Sequence, residues 1–415
     1  MSLLNKLDDK SAWENFLSYK KKNMPQNCRF IKRLEKFVAQ EDYHTIAKSI
    51  ISGNYQFDYP VKTLINKSGT TKKRVIYKFS YLETFLLKLL AHLLYKYDFK
   101  LTKACYSFRK FKTAHSALKD ILLVKNIAQK YILKIDIHNY FNSIPSQKLV
   151  DTIEKIVDDD FILCKFLSSI ISTNKAYFFE NEQKIIIEEN RGAMAGVPIS
   201  AFFANFYLND LDCLFIDKNV DYFRYSDDIL VICNSMEEVV DYKNIITKFI
   251  VKKGLTINSE KLKICQPNQP WEFLGFSFNN QTIDLAQSTI TKIKKKIKRK
   301  SKSLMRRRTR YGESFDMVAS DLADHFNRKF YDQEHENNFT WSRWFFPMLT
   351  TVKSLKTIDN YLQQYMRFLI SGKHKKTNFR IRYSYLKQLG FKSLVNQYYR
   401  YKKQVNISFN ERKHK

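Results

Sequence analysis

The sequence predicts an α+β fold of two or three folding units, and three observations carry that prediction. Paired runs of alternating apolar residues flank short polar turns at three places. Between them lie stretches with apolar residues at helical spacing. The last third is basic and helical in pattern. With 415 residues and a 44% hydrophobic fraction, the chain can bury a large core.

Residues 1 to about 78 mix short helical patterns with a hairpin-like stretch, PVKTLINKSGTTKKRVIYKF, in which two alternating runs flank a Ser-Gly turn. Leu82 to Leu94 repeats apolar residues at helical spacing. YILKIDIHNYFNSI follows, where Ile132, Leu133, Ile135 and Ile137 predict a near-continuous buried strand. KAYFFENEQKIIIEENRG is a further hairpin. SAFFANFYLNDLDCLF predicts one helix with Phe202, Phe206 and Leu208 or Leu211 on one face. DYFRYSDDILVI, residues 221–232, places Asp227 and Asp228 between two strand-like runs. From about 280 the composition changes. KIKKKIKRKSKSLMRRRTR (292–310) holds twelve Lys or Arg and no acid, so a boundary is expected there.

A formal net charge of +31 implies a polyanionic partner, nucleic acid before a membrane surface. No signal peptide is expected, because MSLLNKLDDKSAWENF lacks an apolar core of the needed length. YLETFLLKLLAHLLYKY carries Glu83, Lys88 and His92 and suits a buried helix better than a membrane span. The six cysteines include no C-x-x-C pair, which argues against a zinc site or a disulfide framework and suits a reducing cytoplasm. The 33 Phe and 25 Tyr suit stacking on bases and suit an aromatic core equally well.

Adjacent carboxylates at a hairpin tip repel each other, so Asp227 and Asp228 need company. Two divalent cations about 3.5–4 Å apart, shared by converging carboxylates, form the clamp of phosphoryl transfer. The third carboxylate expected is Asp136, a charge between Ile135 and Ile137 that is costly unless bound. A plain polar turn is the alternative reading of the Asp pair.

The order LKIDIHNYFNSI, GVPISAFFANFYL, RYSDDILVI, GLTINSEKLKI and FLGF resembles the successive palm motifs of reverse transcriptases, the bacterial group II intron, retron and defence-associated types most of all. KKRVIY and CYSFRKFKTAHSAL extend the resemblance upstream, so that it covers roughly residues 60 to 280. It implies a right-hand polymerase. Residues 1–135 would form the N-terminal region and fingers, 136–280 the palm with an inserted part of the fingers, and 281–415 a basic helical thumb and C-terminal extension.

Carried over residue by residue, Asp136, Asp227 and Asp228 would be catalytic and hold two Mg²⁺, or Mn²⁺, with the Ile137 carbonyl as a further ligand. Lys261 would be a general acid near the leaving pyrophosphate. Lys72, Lys73 and Arg74 would neutralise the triphosphate, and Ala195 and Gly196 would line the nucleotide site. Phe141 would lie under the sugar and exclude a 2′-hydroxyl, which points to deoxynucleotides. Arg109, Asn205, Gly275, Lys294, Lys298, Arg306 and Arg307 would contact nucleic acid, Gly275 in a turn that grips the primer.

One departure stands out. Gly192, Gly196, Ser200 and Asn205 fit the family pattern, yet Met194 and Ala195 replace its usual Pro-Gln. The resemblance is therefore nearest to the divergent anti-phage group. It implies RNA-directed DNA synthesis on a structured RNA encoded nearby, with deoxynucleotide triphosphates as substrates, DNA as product and no membrane partner, in a bacterial cytoplasm. Alternatives are a retron-type enzyme making RNA-linked DNA, protein-primed or template-free synthesis, and an RNA-binding protein that has lost synthesis. No second catalytic constellation suggests RNase H activity.

Overall fold

The computed structural model describes residues 2–24, 28–66, 73–331 and 340–413, with side chains to 405. The chain divides into two compact units, Met1–Gln269 and Pro270–Lys415. The division falls ahead of the composition change near 280, because strands that precede the basic run belong to the second unit.

The first unit begins with helices α1 (Lys10–Asn23), α2 (Arg29–Ala39) and α3 (His44–Ile51). Strands β1 (Val61–Asn66) and β2 (Lys73–Lys78) follow, then α4 (Tyr81–Leu93) and α5 (Ala114–Leu122). A capping box of Ser80 and Glu83 starts α4. Next come β3 (Tyr131–Asp136), α6 (Tyr140–Ser143), α7 (Ser146–Ile156) and α8 (Phe161–Ser172). The hairpin β4 (Lys175–Glu180) and β5 (Gln183–Glu188) leads to α9 (Ser200–Tyr207) and α10 (Asn209–Asp217). The segment read as one helix is thus two, broken at Leu208, whose φ −104° and ψ 4° leave the helical region. Phe203, Phe206, Tyr207 and Leu211 are buried, whereas Phe202 is only half-buried. The break lets each helix aim its own apolar face inward.

Strands β6 (Asp221–Tyr225) and β7 (Asp228–Cys233), helix α11 (Met236–Lys252) and β8 (Lys263–Cys265) complete this unit. β6, β7, β3 and β8 form, in that order, an antiparallel four-stranded sheet. Leu133, Ile135, Ile229 and Val231 are fully buried in it, as the apolar runs require. The other two hairpins, far apart in sequence, join into one sheet of order β2-β1-β4-β5 through a parallel contact between Val61 and Tyr177.

In the second unit β9 (Trp271–Phe273), β10 (Phe276–Asn279) and β11 (Thr282–Leu285) make a small antiparallel sheet. Helices α12 (Gln287–Tyr311), α13 (Phe315–Tyr331), α14 (Trp341–Phe345), α15 (Lys353–Ser371), α16 (Tyr383–Gln388) and α17 (Leu394–Lys413) follow. α12 buries Ile290, Ile293, Ile297, Ser301 and Leu304, a stripe at helical spacing, and so turns its lysines outward. Among the described residues no helix is long and apolar enough to cross a membrane. All six cysteines are free.

Candidate active site

The antiparallel register sets Asp136, the last residue of β3, directly opposite Asp228, the first of β7. Asp227 occupies the turn between β6 and β7, next to Ser226 in the left-handed region (φ +61°). A non-glycine residue holds that conformation only where its surroundings enforce it, and a buried polar network does so here. The Ser226 N–H donates to Ser107 Oγ at 2.8 Å, and Ser107 Oγ donates to Asn205 Oδ1 at 2.9 Å. Asn205 Nδ2 donates back to the Ser107 carbonyl at 2.7 Å. The fully buried Arg224 guanidinium grips Asp212 (2.7 and 2.5 Å) and also donates to the carbonyls of Asn205 and Ser226. The Tyr222 hydroxyl donates to Asp212 at 2.9 Å.

The hairpin therefore concentrates negative charge. Burial raises the Asp227 carboxyl to about 6, with Asp228 and Asp136 adding to the shift. Burial also raises Asp228, although Lys134 Nζ lies 3.5 Å from its Oδ1. Asp136 accepts hydrogen bonds from Lys261 Nζ at 2.6 Å and Asn258 Nδ2 at 3.2 Å. Burial disfavours the charged Lys261, but Asp136, then Asp227 and Asp228, hold its pKa above the usual value.

Three carboxylates brought together, two of them with burial opposing their ionisation, are a donor set suited to a hard divalent cation. They do not form a ready-made cage, since among the described residues no group of three His, Cys, Asp or Glu is arranged to hold a metal. Lys261 and Lys134 stand beside the carboxylates instead. Ile137 extends β3, its N–H donating to the Asp227 carbonyl at 3.3 Å.

The 192–196 loop is fastened to the Phe141–Asn142 segment that follows β3 and to β2. Ala193 N–H donates to the Phe141 carbonyl at 2.7 Å. Asn142 Oδ1 accepts from the Ala195 N–H at 2.8 Å while its Nδ2 donates to the Val75 carbonyl, and Tyr77 N–H donates to the Ala195 carbonyl. Gly196 (φ +101°) lies so near β2 that a Cβ would come 3.0 Å from the Tyr77 carbonyl oxygen. Met194 is buried and left-handed (φ +58°), its sulfur 3.3 Å from Arg191 Nη1. Where the family pattern has Pro-Gln, this chain thus points one side chain into the core and offers only backbone at the next residue. Phe141 is half-buried and meets Phe108 edge-on at 6.2 Å.

Gly192 is the tightest point. At φ +55°, a Cβ there would lie 2.4 Å from the Phe141 carbonyl oxygen, a backbone atom that cannot swing aside. Gly192→Ala is expected to cost about 2–4 kcal/mol, read as a lower urea midpoint.

Several expected positions turn out to serve the scaffold. Asn205 is buried and spends its amide on Ser107. The Arg109 guanidinium donates to the carbonyls of Thr102, Cys105 and Asp98 and is likewise spent internally. Arg307 is tied to Glu313 and Asp321. Lys73 and Arg74 are exposed on β2, and Lys72 lies outside the described residues. In the second unit Gly275 (φ +88°) and Leu274 (φ +50°) form the tight turn joining β9 to β10. Lys298 and Arg306 are exposed on α12, while Lys294 Nζ sits 5.2 Å over the Tyr361 ring. Asn142, Ser107, Lys134 and the Arg224–Asp212 pair were not singled out from the sequence. A charge inside the apolar run DYFRYSDDILVI was the one available signal, for Arg224.

The reverse transcriptase (RNA-dependent DNA polymerase) family model matches residues 65–278, just over half of the chain. The chain belongs to that family, and its fold is accordingly that of a right-hand polymerase. Reverse transcriptase domains generally use divalent metal ions, an RNA template and nucleotide substrates. The retron Ec86 reverse transcriptase of Escherichia coli is 24% identical over 176 residues, 41% of this chain and 50% of that protein. The match thus spans about half the length of that curated relative. Among solved structures, telomerase from Candida albicans in complex with a TWJ fragment of telomeric RNA aligns with TM-score 0.45 and 13% identity, over 92% of this chain and 65% of that one. Apo telomerase from Candida tropicalis, truncated from the C-terminal domain, aligns with TM-score 0.44 and 15% identity, over 56% and 55%.

Proposed function

We propose that this chain is an RNA-directed DNA polymerase whose reaction is attack of a primer 3′-hydroxyl on the α-phosphate of a deoxynucleotide triphosphate. The observation that carries the reading is the register that faces Asp136 with Asp228, together with the pinned β6–β7 turn that puts Asp227 immediately before Asp228. Two Mg²⁺, or Mn²⁺, held by Asp136, Asp227, Asp228 and the Ile137 carbonyl would supply neutralisation of the negative charge that develops on the phosphates. The chain's own part is to hold the carboxylates together in a turn that costs strain. It also keeps Lys261 within reach, where its ammonium, once no longer held by Asp136, can donate a proton to the leaving pyrophosphate. Lys73 and Arg74, exposed on β2, suit the triphosphate. The basic face of α12, with Lys298 and Arg306, suits a phosphate backbone.

Phe141 is the residue that would select deoxynucleotides. Phe141→Ala is expected to shift the preference for deoxy- over ribonucleotides by about 10- to 100-fold towards the latter, measured by paired incorporation assays.

In the cell, the reading that fits the Met194–Ala195 departure is bacterial anti-phage defence in the cytoplasm, with a noncoding RNA encoded nearby as template. A retron-type enzyme making RNA-linked DNA is the second reading, favoured by the partial match to a retron reverse transcriptase. The full chain purified from cells with its bound RNA, then given Mg²⁺ and labelled deoxynucleotides, tests both. One structured RNA copied into DNA is the expected result. RNA-linked product would move the retron reading ahead. Bound RNA with no synthesis, Lys261 and Lys134 remaining on the carboxylates, would leave an RNA-binding protein.

A further inference from the structure

Phe108 holds a backbone conformation that a bulky side chain adopts only under constraint. Its φ of +53° lies in the left-handed region, where the Cβ crowds the following carbonyl. Burial does not offset that strain, because the residue is 47% exposed.

The neighbours on either side impose the conformation. Ser107 is fully buried, and its hydroxyl accepts from the Ser226 N–H at 2.8 Å while donating to Asn205 Oδ1 at 2.9 Å. Its carbonyl accepts from Asn205 Nδ2 at 2.7 Å. The Arg109 guanidinium donates to the carbonyls of Thr102 at 2.6 Å and Asp98 at 2.7 Å. The anchors that pin the turn carrying Asp227 thus also hold the Phe108 ring at the surface.

That ring meets Phe141. The two stand at 90° with centroids 6.2 Å apart, an edge-to-face pair. Phe141 meets the Tyr140 ring as well, at 5.7 Å, and its carbonyl accepts from the Ala193 N–H at 2.7 Å. The last contact fixes the backbone of Phe141 and leaves its torsions free. A half-buried ring keeps room to turn about χ1 and χ2 unless another group stands against it. Phe108 also lines a cavity that reaches Gly196 and Asn205.

We propose that Phe108 is a positioning residue for sugar selection: its ring buttresses Phe141 in the rotamer that excludes a 2′-hydroxyl. Exclusion by shape needs a wall that does not yield, and a ring free to rotate would admit one more oxygen. A strained, exposed aromatic is kept where its geometry is used, at some cost in stability. The proposal rests on the reading of Phe141 as the residue under the sugar.

The test compares kcat/KM for a deoxynucleotide and the matching ribonucleotide, with the full chain, Mg²⁺ and a DNA primer annealed to an RNA template. Phe108→Gly is expected to lower the discrimination about fivefold, while Phe108→Tyr, which keeps the ring, stays within about twofold of wild type. Phe111→Ala, at a fully exposed ring close by in sequence, leaves the ratio unchanged. In a Phe141→Ala background Phe108→Gly should change the ratio no further, because the two residues then act as one unit. Glycine adopts the left-handed conformation freely, so Phe108→Gly should melt close to wild type. The fluorine NMR signal of 4-fluorophenylalanine placed at 141 reads the contact in EDTA, without catalysis. It should move in Phe108→Gly and stay in place in Phe111→Ala. An unmoved signal, a loss of discrimination that persists in the Phe141→Ala background, or equal losses for both nucleotides with the ratio intact would overturn the proposal. A moved signal with discrimination intact in Phe141→Ala would instead overturn the reading of Phe141, and the buttress role with it.

Discussion

Asp227→Asn is expected to abolish metal-dependent nucleotide incorporation, by about a thousandfold or more, and at the same time to stabilise the metal-free protein. The loss of activity follows from removing one carboxylate of the cluster that would hold the cations. The gain in stability follows from burial of the Asp227 carboxylate and, after it, repulsion from Asp228 and Asp136, which together raise its pKa to about 6 from 3.8. An ionised group whose folded pKa is raised costs stability above that pKa, here about 1–3 kcal/mol. The asparagine variant's advantage in EDTA should therefore be complete above pH 6 and fade as the pH falls towards 4. Added Mg²⁺ reverses the order, because the wild type alone gains binding free energy with the metal. Melting curves at several pH values, with and without Mg²⁺, read all of this. An asparagine variant that melts below wild type in EDTA at pH 7.5 would show that no excess charge is stored in the hairpin.

Arg224→Met is expected to be the most destabilising single change, by about 3–5 kcal/mol, because it leaves the Asp212 carboxylate buried without its partner. Tyr222 alone cannot neutralise that charge. Arg224→Met combined with Asp212→Leu should recover most of the stability, since an apolar pair of similar volume avoids the desolvation cost. The same double variant separates packing from positioning. Arg224 also donates to the Asn205 and Ser226 carbonyls, so a refolded double variant should remain poorly active although stable. Recovery of both would limit the pair to packing. Urea titrations with nucleotide incorporation beside them give both numbers.

Much of the site was readable before the fold. Asp136 among isoleucines and the Asp227–Asp228 pair are costly placements, and cost is visible in a linear pattern. The helix break at Leu208 was not, because SAFFANFYLNDLDCLF keeps helical periodicity across it. Nor were Asn205 and Arg109 distinguishable from surface polar groups, since hydrogen bonds to Ser107 and to distant carbonyls depend on partners far off in sequence.

The sequence by itself determined the α+β alternation, the three hairpins, the acidic hairpin and the basic helical end, because each depends on neighbours a few residues apart and on the period of apolar residues. Only the tertiary structure decided that Asp136 faces Asp228, that Lys261 and Lys134 stand beside them, and that two separate hairpins share a sheet. It also decided that Phe108 meets Phe141. Those are matters of register and packing between segments tens of residues apart, where burial, and not local pattern, sets which charges meet.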